Sequence, residues 1–279
     1  MSSLLRRTLL GLSCAALSFT LLTPPATAVE NFSKAKRILP QIYHQLDQEF
    51  GHTQTIYCGC ELIYKKSGSS YKWTPDLKSC GYEPRKNANR AKRIEVEHVM
   101  AAWEFGHQMK CWREGGRDEC GKDSTFDRME GDLHNLYPAV GEVNGDRSNY
   151  QFTDWNGKAT QYGKCQMVVD FAEDRVQPPK PSRGMIARAY LYMSEQYDIR
   201  LSQAQRRLYE AWNRQYPADA LECRRNELIT KEQGNDNPFV TASCKLSPQQ
   251  ATVRNSNSSS QVNSSFASGE RGTYKLVLQ

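Results

Sequence analysis

Eight cysteines behind an apolar leader restrict what this chain can fold into more than any other feature of its 279 residues. Arg6 and Arg7 precede an apolar stretch from Leu9 to Leu22, and Ala26-Thr27-Ala28 supplies a small-x-small cleavage site. That is the three-part form of a secretory signal peptide. The stretch is shorter than the roughly 20 residues that a bilayer span needs, so a membrane anchor is the weaker reading. The expectation is export, removal of residues 1–28 near Ala28, and a protein that is periplasmic or secreted. Cys14 leaves with the leader; Cys58, Cys60, Cys80, Cys111, Cys120, Cys165, Cys223 and Cys244 remain. An even number in an exported chain predicts disulfides, with the pairing left open by sequence. On a strand, Cys58 and Cys60 would face the same side and take separate partners. Their C-x-C spacing does not match the paired C-x₂₋₄-C clusters of a structural zinc site.

Hydrophobic periodicity predicts a helix from about Ser33 to Phe50, with Ile38, Leu39, Ile42, Leu46 and Phe50 on one face and Pro40 kinking or splitting it. Residues 56–64 (IYCGCELIY) read as a strand; a turn through Ser67 to Ser70 and a return strand at Tyr71-Lys72-Trp73 make a hairpin. Residues 109–131 read as a long irregular loop fixed by Cys111 and Cys120. Helical spacing returns after Pro181, with Met185, Ile186, Ala189, Tyr190 and Met193 on one face and Ala204, Leu208, Ala211 and Trp212 on the next. Ser202 and Gln205 have the form of a capping box. Residues 29–244 are read as a single domain. The Ser/Asn-rich residues 245–279 cannot bury enough apolar surface to offset their ordering entropy and are expected to be disordered.

Within the domain, RIEVEHVM (93–100) alternates like a half-buried strand yet carries Glu95, Glu97 and His98. Adjacent Glu and His residues are common by chance, and the strand alone does not decide whether they act. The segment DLHNLYPAVGEVNGDRSNY (132–150) adds Asn135, Asn144 and Asn149 to a stretch that reads as a strand end followed by a short helix. An asparagine inside a helix costs propensity. Mg²⁺ prefers oxygen ligands and is commonly held by one or two protein groups, with water and phosphate completing the shell. Glu97 and Asn144 would suffice, and His98 is the side chain suited to take a proton from water near neutral pH. Neighbours on a regular strand point to opposite faces, so the strand must end or twist at the Glu97–His98 pair. His107 and His134 are read as supporting groups.

EHVMAAWEFGHQMKCW, the Gly-rich GGRDEC, DLHNLYPAVGEVNGDRSNY and CQMVVDF together resemble bacterial endonuclease I, the periplasmic or secreted nonspecific nucleases of the ββα-metal class. The resemblance runs from about Asn31 to Cys244. It implies an α+β fold, a mixed helical domain with short strands and a ββα-metal nuclease motif, stapled by disulfides. It implies hydrolysis of DNA and RNA with little sequence preference, giving 5′-phosphorylated products, by a monomer that uses one Mg²⁺ per site, with Ca²⁺ or Mn²⁺ as alternatives. By the same resemblance His98 is the general base, Glu97 and Asn144 are the metal ligands, Arg117 holds the phosphate, and Asn135 supports the site from the second strand. Pro40 and the tail depart from the family pattern outside the proposed site.

Formal net charge is +6, with two of the positive charges in the leader. That modest excess is compatible with a polyanionic partner without requiring one. The cluster Arg85, Lys86, Arg90, Lys92 and Arg93 is the candidate nucleic-acid contact, although a charge run of this kind more often marks a solvated loop. Two other classes fit parts of the pattern. One is a noncatalytic secreted nucleic-acid-binding protein on the same fold, against which the Glu97, His98 and Asn144 set argues; the other is a disulfide-rich interaction protein.

Overall fold

The computed structural model describes residues 29–246, so the leader, and the tail beyond Leu246, lie outside the described residues. Helix α1 (Phe32–Phe50) starts where the Asn31 side chain accepts the Lys34 backbone N–H and stops at Gly51, whose φ of 80° suits only glycine at low cost. Pro40 does not split it. A proline removes one helical donor, here the bond to the Lys36 carbonyl, and burial of Pro40 with Leu39, Ile42, Tyr43 and Leu46 outweighs that loss.

The antiparallel hairpin β1 (Glu61–Ser67) and β2 (Ser70–Asp76) matches the expected turn, but the expected strand over 56–64 begins five residues late. Gly59 has a φ of 65°, and Cys58 and Cys60 are drawn to Cys165 and Cys80, so residues 56–60 form a turn instead of pairing. The two cysteines do take separate partners. Cys111–Cys120 and Cys223–Cys244 complete four disulfides.

A short helix, α2 (Ala88–Ala91), leads into β3 (Ile94–His98), followed by α3 (Ala102–Gly106), α4 (Lys110–Cys120) and α5 (Ser124–Gly131). The irregular loop expected over 109–131 is therefore two helices. The glycine and charge that suggested a loop serve local ends: α4 breaks at Gly115–Gly116, where Gly116 has a φ of 65°, and Asp123 caps α5 by accepting the Thr125 and Phe126 N–H groups.

A 3₁₀ turn at Leu133–Asn135 opens into β4 (Leu136–Val140), which pairs antiparallel with β3 so that Glu97 lies opposite Tyr137 and His98 opposite Leu136. Then α6 (Gly141–Arg147) packs back on both strands. This β–β–α unit carries the strand end and short helix expected over 132–150. A three-stranded sheet follows, β5 (Gln151–Phe152), β6 (Val168–Asp170) and β7 (Arg175–Gln177), with β7 in the middle. Four helices close the chain: α7 (Lys180–Gln196), α8 (Gln203–Gln215), α9 (Ala220–Gln233) and α10 (Pro238–Leu246). The Ser202–Gln205 capping box is formed.

The core lies in two clusters. The larger surrounds α7, which is buried on almost every side, and includes Phe105, Phe126, Tyr190 and Trp212. The smaller joins α1, the hairpin and α9 through Leu39, Leu46, Leu62 and Ile229. The β–β–α unit sits between them: Val140 and Val143 belong to the first cluster and Leu136 to the second. No helix among the described residues is long and apolar enough to cross a membrane.

Candidate active site

A cavity of about 930 Å³ opens over the solvent side of the β–β–α unit, with Glu95, Glu97, His98 and Asn144 in its wall. His98 is the last residue of β3, and the chain leaves the strand directly after it. Its Nε2 lies 2.9 Å from the Glu130 carbonyl oxygen. A carbonyl can only accept, so Nε2 carries the proton and Nδ1 is the free base. The Phe32 ring stands 4.5 Å from the imidazole. Burial, helped by the positive charges of Arg117, Arg147 and Lys36, pulls the His98 pKa down to about 4 against the raising effect of the Glu130 carbonyl. The imidazole is therefore neutral at physiological pH.

Asn135 is fully buried and does not line the cavity. Its Oδ1 accepts the Met100 N–H at 2.7 Å and its Nδ2 donates to the Met100 carbonyl at 2.9 Å, while its own carbonyl accepts the Val99 N–H. It fixes the bend that follows His98. The strand thus ends at the Glu97–His98 pair, and both residues reach one cavity although they point to opposite faces of β3.

Glu95 and Glu97 share the other face, towards α6. Glu97 is 3 % exposed. Its Oε1 accepts from the Tyr57 hydroxyl at 2.5 Å and lies 3.2 Å from Arg147 Nη1. Burial raises its pKa to about 7, against Arg147 and Tyr57, which lower it. Both contacts fall on Oε1, which leaves Oε2 as the oxygen available to a cation. Asn144 donates through Nδ2 to Glu95 Oε2 at 2.8 Å, so its amide oxygen is turned away from that carboxylate. Burial raises the Glu95 pKa, but hydrogen bonds from Arg90, Asn144 and Arg93 outweigh it and keep the group below the usual carboxylate range.

Glu97 and Asn144 offer only oxygen to a cation, one carboxylate and one amide, on two elements of a single unit. Among the described residues no three His, Cys, Asp or Glu side chains gather as a metal cluster. Such a sparse set fits Mg²⁺, which keeps most of its shell as water and phosphate, better than zinc, which takes three or four protein ligands.

Arg117 follows the Gly115–Gly116 break and reaches the cavity half-exposed, with Nη2 2.6 Å from Glu130 Oε1. Glu130 thus holds the imidazole by its carbonyl and the arginine by its carboxylate. The basic run divides. Arg90 and Arg93 line the cavity, yet both bind Glu95, at 2.8–2.9 Å. The Arg90 guanidinium lies over Gly145, where a Cβ would come within 2.0 Å of Nη1. Arg85 forms a two-pronged pair with Asp146 at 2.8 and 2.9 Å, away from the cavity. Lys86 and Lys92 do not line it either.

Sequence reasoning missed Glu95 as the partner of Asn144, and it missed Tyr57, Glu130 and Arg147. Two signals were present: Glu95 and Glu97 are two apart on a strand and share a face, and Arg147 follows Asn144 by one helical step. Nothing local marked Tyr57, which arrives from a disulfide-bound turn.

Two antiparallel strands and a helix, bringing an imidazole, two carboxylates and an amide to one cavity, form a β–β–α unit within a disulfide-stapled α+β domain, and comparison with known proteins gives its class as a nuclease. The family model described as Endonuclease I matches residues 31–244, and the chain belongs to that family. A periplasmic deoxyribonuclease of Aeromonas hydrophila is 58 % identical over 240 residues, covering 85 % of this chain and 97 % of the relative. An extracellular deoxyribonuclease of the same organism is 57 % identical, covering 86 % and 99 %. Endonuclease-1 of Buchnera aphidicola subsp. Acyrthosiphon pisum is 46 % identical, covering 77 % and 82 %.

Proposed function

We propose that this member of the endonuclease I family, acting outside the cytoplasm, cuts DNA by cation-assisted hydrolysis with His98 as general base. The observation that carries the reading is the His98 hydrogen bond: Nε2–H is spent on the Glu130 carbonyl, so a neutral imidazole presents Nδ1 as a base beside an oxygen pair. Nδ1 takes a proton from water as its oxygen bonds to phosphorus in line with the departing 3′ oxygen. The phosphorus–O3′ bond breaks, and the 3′ oxygen takes a proton from solvent, leaving a 5′-phosphate.

What a divalent ion held by Glu97 Oε2 and the Asn144 amide oxygen supplies is charge stabilisation on the phosphate and the leaving oxygen. Arg117, half-exposed and paired with Glu130 at the cavity, offers its guanidinium to the phosphate for charge-assisted hydrogen bonds. Arg93 and Lys36 extend the positive rim of the cavity. These groups address phosphate, not base edges, so the enzyme takes DNA and RNA with little sequence preference.

Plasmid nicking with and without chelator, beside His98→Ala, tests the mechanism. Cleavage by the wild type that stops with chelator and largely disappears in His98→Ala is the expected result. Undiminished cutting in chelator would remove the cation, and undiminished cutting by His98→Ala would remove the base.

A further inference from the structure

Arg147 ends α6, three residues after Asn144, and is 1 % exposed although one side of it reaches the cavity wall. Its Nη1 donates to the His98 carbonyl at 2.9 Å, and its Nη2 donates to the Val99 carbonyl at 2.8 Å and the Tyr190 hydroxyl at 3.3 Å. The same two nitrogens stand 3.2 Å from Glu97 Oε1 and 3.6 Å from Glu104 Oε1. The guanidinium carbon stands over the Phe152 ring, 4.6 Å from its centroid. Glu104 is held in turn by the Tyr190 hydroxyl at 2.5 Å.

One planar cation therefore joins the backbone of the base, a carboxylate of the cation pair, and the helix that carries the amide. A buried charge is costly to leave unpaired, and here a single positive charge faces two buried carboxylates. A lysine ammonium could supply the charge, but not a rigid fork reaching two consecutive carbonyls.

Resting on the mechanism above, we propose that Arg147 is a positioning residue. It clamps the peptide that ends β3 and occupies Oε1 of Glu97, so that His98 and the second Glu97 oxygen meet the cavity at fixed places, and its charge restrains the affinity for the cation. The clamp and the charge can be separated by substitution.

The experiment measures kcat and KM on a defined DNA duplex in saturating Mg²⁺, and Mn²⁺ binding without DNA at pH 8.5, for wild type, Arg147→Lys, Arg147→Met and Glu104→Gln, with circular dichroism to confirm the fold. Arg147→Lys keeps the charge and loses the fork: kcat falls about 100-fold, a misplacement-sized effect, while KM and the Mn²⁺ dissociation constant stay within about threefold. Arg147→Met loses both, so kcat falls as far, and wherever Glu97 remains ionised Mn²⁺ binds about tenfold more tightly because a repelling charge has gone. Glu104→Gln opens no cavity and leaves Arg147 to bear on Glu97 alone, so Mn²⁺ binding weakens by about threefold or more.

A residue that only fills space gives variants whose kcat follows the folded fraction and whose Mn²⁺ affinity does not move; that outcome overturns the proposal. If both Arg147 variants fail to fold, an unchanged Mn²⁺ affinity in Glu104→Gln overturns it alone. Wild-type protein that cuts without a cation would sink the mechanism instead, before any variant is compared.

Discussion

Replacing Asn135 with alanine strands two backbone groups in the interior. Its side chain takes the Met100 N–H at 2.7 Å and gives to the Met100 carbonyl at 2.9 Å, and the residue is 0 % exposed, so water cannot take over either bond. Each stranded group costs about 1–3 kcal/mol, which puts the loss at about 2–6 kcal/mol. For a domain of this size that lowers the thermal midpoint by roughly 4–24 °C. Asn135→Asp should rescue little, because it keeps an acceptor for the Met100 N–H but sets a carboxylate against the Met100 carbonyl. Urea denaturation of the oxidised protein measures the loss, and cleavage assays at a temperature where the variant is folded show how far the bend after His98 matters to the base. A loss below about 1 kcal/mol would refute the reasoning, since the two bonds could then not be what holds that bend.

Removal of the base by His98→Ala should lower kcat by about 10²- to 10⁴-fold, with denaturation unchanged enough to exclude unfolding; a change under tenfold in steady-state cleavage would count against the assignment. In the cation-free protein Glu97 takes up its proton as pH falls through about 7, whereas His98 stays neutral down to about 4. A proton on Glu97 opposes the ion, so calorimetric cation affinity should fall as pH drops below about 7, and the acid limb of the rate profile should move to lower pH as cation concentration rises. An acid limb fixed at the ordinary histidine value would contradict this. Cys58–Cys165 closes a separation of 107 residues, and on a chain-entropy estimate a loop of about 100 residues is worth about 4.7 kcal/mol, so Cys58→Ser with Cys165→Ser should lose stability of that order in urea. Cys111–Cys120 brackets Arg117, so reductant should also reduce cleavage; full activity of the leaderless protein under strong reductant would show that the bracket is dispensable.

What the sequence made legible was whatever depends on local period. The face of α1, the hairpin turn, the Ser202 capping box and the strand carrying Glu97 and His98 all follow from neighbours within a few residues. The errors have the same origin. Pro40 argued for a break because the loss of one donor is a local cost, whereas the burial that offsets it comes from distant partners. Residues 109–131 looked irregular because the Gly115–Gly116 break and the Asp123 cap were read as loop composition and not as helix ends. The basic run from Arg85 to Arg93 looked free because Asp146 and Glu95, which bind Arg85, Arg90 and Arg93, meet them only in three dimensions. Likewise the distinction between the two glutamates of β3, one tied to Asn144 and the other to Tyr57 and Arg147, is a matter of tertiary partners.

The bond between Cys58 and Cys165 encircles every residue from the turn before the hairpin to the stretch beyond β5, the whole β–β–α unit included. A peptide bond hydrolysed anywhere inside that ring leaves two pieces still tied by sulfur, and a cut between Cys111 and Cys120 is tied a second time. In surroundings rich in proteases, a nick at the Gly115–Gly116 break beside half-exposed Arg117 would therefore divide α4 into two ends without letting either half of the catalytic unit drift away.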